Sequence, residues 1–290
     1  MSELRFDPVK QSWSVIASER SRKPQDFLTI REQAEGSNRE PISCPFCYGN
    51  EHHSHEIYAL RRSGKKNEPN WQTRVIPNKY PAFGIEGELK RTGHGIYDTI
   101  TGIGAHEVII ESPKHSLRLA DYDRQTIFNL FYTMRERVRD LSGDTRFRYI
   151  LPFKNYALGS SLSVMHPHSQ VIALPVVPNI VKTKLKSAKE HYSSKERCIF
   201  CDILEQEKAD NSRIVYENQD FIAFCPYASS FPFELAIYPK QHGHSFSVIN
   251  ESGLKSLSDM ITEAFHRFDK VLENPPLSLV VHTSPPLNYR

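Results

Sequence analysis

No apolar run in this sequence reaches membrane-spanning length, and its first residues, Met-Ser-Glu-Leu-Arg-Phe, hold neither a basic stretch nor an apolar one. A cytoplasmic protein with no membrane partner is therefore expected. Excess charge is also lacking: 37 Lys and Arg against 34 Asp and Glu leave a formal net charge of +3. The basic clusters at residues 20–23 and 61–66 are too short for a nucleic-acid tract, so no nucleic-acid partner is expected. A small anionic substrate suits this balance at least as well. Cysteine is sparse, five in 290 residues, too few for a disulfide framework. Four of the five form two Cys-x-x-Cys pairs, Cys44/Cys47 and Cys198/Cys201, a spacing that signals a metal in a reducing compartment or, less often, a redox pair opening a helix. Cys225 is left over and reads as a small buried hydrophobe.

What is present is a repeated pattern. A chain of this length implies two domains or a duplicated unit. Cys44-Pro-Phe-Cys47 recurs as Cys198-Ile-Phe-Cys201, and the segment from His106 to His115 recurs as the segment from Phe233 to His242. Each copy precedes an amphipathic stretch. Residues 123–141 place Ile127, Leu130, Phe131, Met134 and Val138 at helical spacing, and residues 253–272 do so with Leu257, Ile261, Phe265 and Phe268. Each helix leads into an apolar strand, at 147–153 and 277–282. The expected fold class is α+β, with two duplicated halves of antiparallel sheet and packed helix, residues 1–178 and 190–290. They are joined across 176–196, where Pro178, lysines and serines break the periodicity. The second half stops without a counterpart of the strand described next and reads as a truncated copy.

That strand, within Ser163-Val-Met-His-Pro-His-Ser-Gln-Val-Ile-Ala-Leu-Pro175, carries His166, His168 and Gln170 at alternate positions. On an extended chain these three share one face, and Val171 and Ala173 take the other. Two imidazoles so close can divide labour, one as metal ligand or anchor and one as base or nucleophile.

A Cys-x-x-Cys turn offers two thiolates to a tetrahedral ion, and two imidazoles from elsewhere complete a zinc shell. In the first half the candidates are Cys44, Cys47, His115 and His166, with His52, His53 and His55 competing by spacing. His115 gains support because His242 ends the duplicated strand at the matching place. In the second half Cys198, Cys201 and His242 supply three ligands, and His244 or His282 is open as the fourth.

The ordered set Phe153-Lys-Asn155, Gly159, Ser163 and His166-Pro-His168-Ser-Gln170 resembles the active-site segment of galactose-1-phosphate uridylyltransferases, a branch of the histidine triad superfamily. Arg20-Ser-Arg22-Lys-Pro24, Cys44-Pro-Phe-Cys47, Arg74-Val-Ile-Pro-Asn-Lys-Tyr-Pro81 and Glu111-Ser-Pro-Lys-His115 extend the resemblance over nearly the whole chain. It implies a transferase of galactose and carbohydrate metabolism that exchanges a uridylyl group between UDP-glucose and galactose 1-phosphate by a ping-pong route. In that scheme His168 is the nucleophile and forms a covalent nucleotidyl-histidine, and Gln170 and Ser163 hold phosphoryl oxygens. His166 sits on zinc, and Arg20, Arg22, Asn78 and Asn155 line the nucleotide and phosphates. The resemblance also implies a nucleotide sugar and a sugar 1-phosphate as partners, and a homodimer is expected from it. Lys184 stands where the best-known uridylyltransferases have a metal-binding glutamate, and the second Cys-x-x-Cys resembles the ADP-glucose phosphorylase branch, whose acceptor is inorganic phosphate. A phosphorylase or hydrolase of nucleotide sugars or dinucleoside polyphosphates is thus the alternative enzyme. A zinc-stabilised nucleotide- or RNA-binding protein without turnover is the alternative of another class.

Overall fold

The computed structural model describes residues 2–8, 12–17, 44–156 and 166–286. In chain order it forms β1 (Glu3–Asp7), β2 (Ser12–Ile16), β3 (Tyr58–Arg61), β4 (Trp71–Pro77), β5 (Arg91–His94), β6 (Tyr97–Thr101), β7 (Ala105–Ile110), α1 (Arg124–Leu141), β8 (Tyr149–Tyr156) and β9 (His168–Leu174). There follow α2 (Asn179–Lys195), α3 (Ile199–Asp210), β10 (Ile214–Glu217), β11 (Phe221–Phe224), β12 (Ala236–Pro239), α4 (Glu251–Leu272) and β13 (Leu277–Val280). The class is α+β: among the described residues every strand ladder is antiparallel, and the helices pack on the sheets.

The largest sheet has the order β13-β8-β9-β7-β4-β3. Its two faces have different jobs because side chains alternate along each strand. Val75, Ile109, Ile150, Val171 and Ala173 point to one side and join a core with Ile127, Leu130, Phe131, Met134 and Val138 of α1 and Leu254, Leu257, Met260, Ile261 and Phe265 of α4. Each of these side chains larger than alanine contributes roughly 1.5–3 kcal/mol by leaving water. Two polar pairs also bridge α1 to this face. Arg137 grips Glu107 in a bidentate pair, both bonds 2.7 Å, and the Thr73 and Thr133 hydroxyls meet at 2.6 Å.

Register places Arg74 and Ile76 of β4, His106, Val108 and Ile110 of β7, His168 and Gln170 of β9 and Phe153 of β8 on the opposite face. Part of that face is covered by the turn carrying Cys44, Phe46 and Cys47, which packs on Trp71, Ile76, Val108 and Ile110.

The helices at 123–141 and 253–272 form within two residues of the expected bounds, and Asp123 caps α1 by accepting the Thr126 N–H at 2.7 Å. Three features differ from expectation. The stretch at 176–196, read as a joint, is mostly the helix α2, a solvated helix that buries Val181 and ends on Glu196 in the left-handed conformation. Lysine, serine and alanine erase the apolar stripe there without preventing a helix. Strand β13, which the sequence assigns to the second half, is an edge strand of the large sheet, with Val280 opposite Phe153. Cys225 is exposed at the end of β11 and is not the buried hydrophobe expected.

Candidate functional site

The site grows from the start of β9. His168 opens the strand and Gln170 follows two residues later on the same face, as alternation requires, while Ser169, Val171 and Ala173 are buried on the other. His166 lies two residues before His168, is fully buried, and faces the Cys-x-x-Cys turn that covers part of the same sheet face. Pro167 separates the two, and its carbonyl accepts the Glu111 N–H at 3.1 Å, which carries the β7–β9 pairing one residue past the strand ends.

Two carbonyls fix the tautomers of both imidazoles. His166 Nε2 donates to the Ser112 carbonyl at 2.6 Å, which leaves Nδ1 unprotonated and facing Cys44 Sγ at 3.7 Å and Cys47 Sγ at 3.5 Å. His115 Nδ1 stands 3.3 Å from Cys47 Sγ. The donor atoms of Cys44, Cys47, His115 and His166 all lie within 4.8 Å of one another. Two thiols and two imidazoles with converging lone pairs suit a metal ion. Burial, with Cys44 alongside, pushes the Cys47 thiol up to about 11 and burial pushes His166 down to about 4. The imidazole is thus ready to ligate, and a cation is what would stabilise the thiolates.

His168 Nδ1 in turn donates to the His166 carbonyl at 2.9 Å, which puts the ring's lone pair on Nε2. Burial lowers the His168 pKa, against the opposing pull of that carbonyl, so the ring is neutral near pH 7. The middle of the metal loop presses on both rings: Phe46 lies edge-on to His166 at 6.0 Å and to His168 at 5.8 Å between centroids. On the helix side of the sheet, directly behind His168, Glu111 is ringed by Lys154, Tyr122 and Ser169. Lys154 Nζ also reaches the His168 carbonyl at 3.3 Å. Burial alone would raise the Glu111 carboxyl, but Lys154 and the two hydroxyls hold it below the usual carboxylate range.

Of the remaining sequence candidates, Asn78 follows β4 and points its Nδ2 at Gln170 Oε1, 3.3 Å away. Asn155 is exposed near the β13 edge, where its Oδ1 accepts the Ser278 hydroxyl at 2.7 Å. Arg20, Arg22 and Ser163 lie outside the described residues. His52, His53 and His55 are exposed and do not join the first cluster, and His55 faces Lys66. In the second half Cys198, Cys201 and His242 come together, with His242 Nδ1 3.3 Å from Cys201 Sγ. Neither His244 nor His282 belongs to that group among the described residues. This second Cys-x-x-Cys does open a helix, α3, as a redox pair would. Its partnership with His242 nevertheless favours a metal.

Sequence reasoning passed over His106, Glu111 and Lys154 as site residues. His106 and Glu111 sit in the duplicated segment, and the alternation along β7 would have sent them to opposite faces, but their neighbours are known only once β7 lies beside β9.

The chain is similar to known proteins over nearly its whole length. A curated relative, ADP-glucose phosphorylase of Arabidopsis thaliana, is 33% identical over 286 residues, covering 98% of this chain and 78% of its own. Galactose-1-phosphate uridylyltransferase of Thermotoga maritima is 24% identical over 289 residues, 99% of this chain and 82% of its own. A solved structure described as a uridylyltransferase superposes with a TM-score of 0.79 at 26% identity, covering 98% of this chain and 81% of that one. The family model for the N-terminal domain of galactose-1-phosphate uridyl transferase matches residues 1–178, and the chain belongs to that family.

Proposed function

We propose that this chain is a nucleotidyltransferase that passes a uridylyl group from UDP-glucose to galactose 1-phosphate through a covalent adduct on His168. The observation that carries the reading is the bond from His168 Nδ1 to the His166 carbonyl, which leaves Nε2 as an unprotonated nucleophile at the open face of β9. In the first half-reaction the Nε2 lone pair forms a bond to the α-phosphorus of the nucleotide sugar. The bond from that phosphorus to the bridging oxygen breaks, and its electron pair leaves with the sugar 1-phosphate. The Nδ1 proton stays on the ring, where the His166 carbonyl stabilises the positive charge that develops. In the second half-reaction a phosphate oxygen of the acceptor attacks the same phosphorus and His168 departs as neutral imidazole. That acceptor is already an anion, so the route needs no general base. Gln170, two residues along the same face, is placed to hydrogen-bond a phosphoryl oxygen.

Zinc is the metal we assign to the Cys44, Cys47, His115 and His166 cluster. Sulfur bonds of ~2.3 Å and nitrogen bonds of ~2.0–2.1 Å in a tetrahedron set sulfur–nitrogen edges of roughly 3.6 Å. The edges here are 3.3, 3.5 and 3.7 Å. With four protein ligands a bound zinc supplies a structural anchor, and the residue it holds, His166, is the one whose carbonyl orients His168. Cytoplasmic location fits five free cysteines and metal-type clusters, and no described helix is long and apolar enough to cross a membrane. The homodimer of the same reading is checked by sedimentation.

A second reading keeps His168 and changes donor and acceptor: an ADP-glucose phosphorylase discharging its adenylyl group to inorganic phosphate. The 33% identity to a relative of that name favours it. One experiment separates the two. The protein is incubated with UDP-glucose or ADP-glucose labelled at the α-phosphate, without acceptor, and then challenged with galactose 1-phosphate or phosphate. Label taken from UDP-glucose and discharged by galactose 1-phosphate supports the first reading. Label taken only from ADP-glucose and discharged by phosphate replaces it with the second. No label from either sugar, or label that persists in His168→Ala, overturns both.

A further inference from the structure

Gln170 Oε1 accepts two hydrogen bonds from within the protein, and each donor is itself locked in place by a main-chain N–H. The Ala82 N–H points at His106 Nδ1 at 3.0 Å, so Nδ1 is the acceptor and the ring carries its proton on Nε2. That Nε2 lies 2.7 Å from Gln170 Oε1. In parallel, the Tyr80 N–H donates to Asn78 Oδ1 at 2.9 Å, which turns the Asn78 amide so that its Nδ2 stands 3.1 Å from His106 Nε2 and 3.3 Å from Gln170 Oε1; with the ring proton on Nε2, the Gln170 oxygen is the acceptor of the two. A flipped Gln170 amide would set its NH2 against two N–H donors. The orientation therefore follows from two peptide groups that cannot flip, not from the side chain's own choice.

We propose that His106 is a positioning residue for the transfer reaction, holding the Gln170 amide with its oxygen inward and its NH2 toward the phosphoryl group on His168. This rests on the reading of His168 as the nucleophile. His106 is buried, and it lies on the central strand β7 on the same face as His168 and Gln170. Its chain neighbour Glu107 is clamped on the other face by Arg137 of α1. A rigid strand, a fixed tautomer and an acceptor already filled leave Gln170 no rotamer search when charge develops on the phosphoryl oxygens. An NH2 aimed before reaction gives more than one that must first turn, because no reorganisation is needed at the transition state.

The test compares wild-type protein with His106→Leu, His106→Gln, Gln170→Ala and the double variant His106→Leu/Gln170→Ala. The nucleotide sugar that labels the wild type is used, and the single-turnover rate of His168 labelling and the KM are read for each. His106→Leu, which fills the space without donating, is expected to slow labelling by about 10- to 100-fold, the range for losing the aim of one phosphoryl donor. KM stays within roughly threefold, since the contact matters in the transition state. His106→Gln, which can accept from Ala82 and donate to Gln170, recovers most of the rate. In the Gln170→Ala background the leucine substitution adds less than about threefold, because its route of action is already gone. Labelling by His106→Leu at the wild-type rate, or a full additional loss in the double variant, overturns the proposal. If wild-type protein takes no label, the His168 reading fails first, and nitrogen-15 NMR of His106 decides this one independently, as it also does if the leucine variant does not fold. An Nε2-protonated neutral ring supports it, and an Nδ1-protonated ring overturns it.

Discussion

Lys154 and Glu111 meet inside the protein, Nζ 2.9 Å from each carboxylate oxygen, with side-chain exposures of 3% and 0%. The pair lies behind the nucleophile's strand, and the same ammonium reaches the His168 carbonyl. Removing one partner strands the other in a medium that solvates it poorly. Lys154→Met is expected to cost about 3–5 kcal/mol in urea denaturation at pH 7, and adding Glu111→Gln to recover part of that loss. The sign with pH follows from Glu111. With Lys154 its pKa is depressed, so its contribution is present above the usual carboxylate pKa and lost as pH falls through the folded value. The gap between wild type and Lys154→Met therefore narrows as the medium is acidified.

Metal content tests the first cluster. Cys44→Ser removes one of four donors that converge within 4.8 Å of one another. It is expected to lose one metal equivalent per chain by elemental analysis and to lower the melting temperature, because the binding free energy of a structural site is folding free energy. His168→Ala, which removes no donor of the cluster, is expected to keep its metal.

Asp123 accepts the Thr126 N–H at the start of α1, and that bond holds its carboxyl below the usual range. Asp123→Ala is expected to lower stability by about 1 kcal/mol at neutral pH. A depressed carboxylate stabilises above its unfolded pKa of ~3.9 and stops doing so as pH falls through the lower folded value. The difference between wild type and variant in chemical denaturation is thus constant from neutrality to about pH 5 and closes only below about pH 4. Asp123→Asn, which caps without charge, shows a smaller loss.

Gly104 sits where backbone meets backbone. A Cβ there would lie 2.3 Å from the Ala173 carbonyl oxygen and 2.9 Å from Phe83 Cβ, at the approach of β7 to β9. Gly104→Ala is expected to destabilise by roughly 1–3 kcal/mol, as overpacking does. Thermal unfolding checks it, and a neutral change would mean that this end of β9 shifts freely.

Much of the site is legible in local pattern. The alternation of His168, Ser169, Gln170 and Val171 gives the two faces of β9, and the apolar spacing from Ile127 to Val138 gives α1. It does not show how deeply His166 is buried, because that burial comes from the Cys44–Cys47 turn packed over the same face. It is silent about α2, whose helix-forming composition carries no apolar stripe.

By itself the sequence determined the helices α1 and α4, which thiols pair in each Cys-x-x-Cys, and which face His168 and Gln170 share, since these follow from backbone periodicity within a few residues. Tertiary structure decided what was left open: His115 and not His52, His53 or His55 beside Cys47, Glu111 under His168, and His106 against Gln170. Those meetings depend on strand register, and register is set by ladders and packing between segments far apart in the chain, which no local pattern encodes.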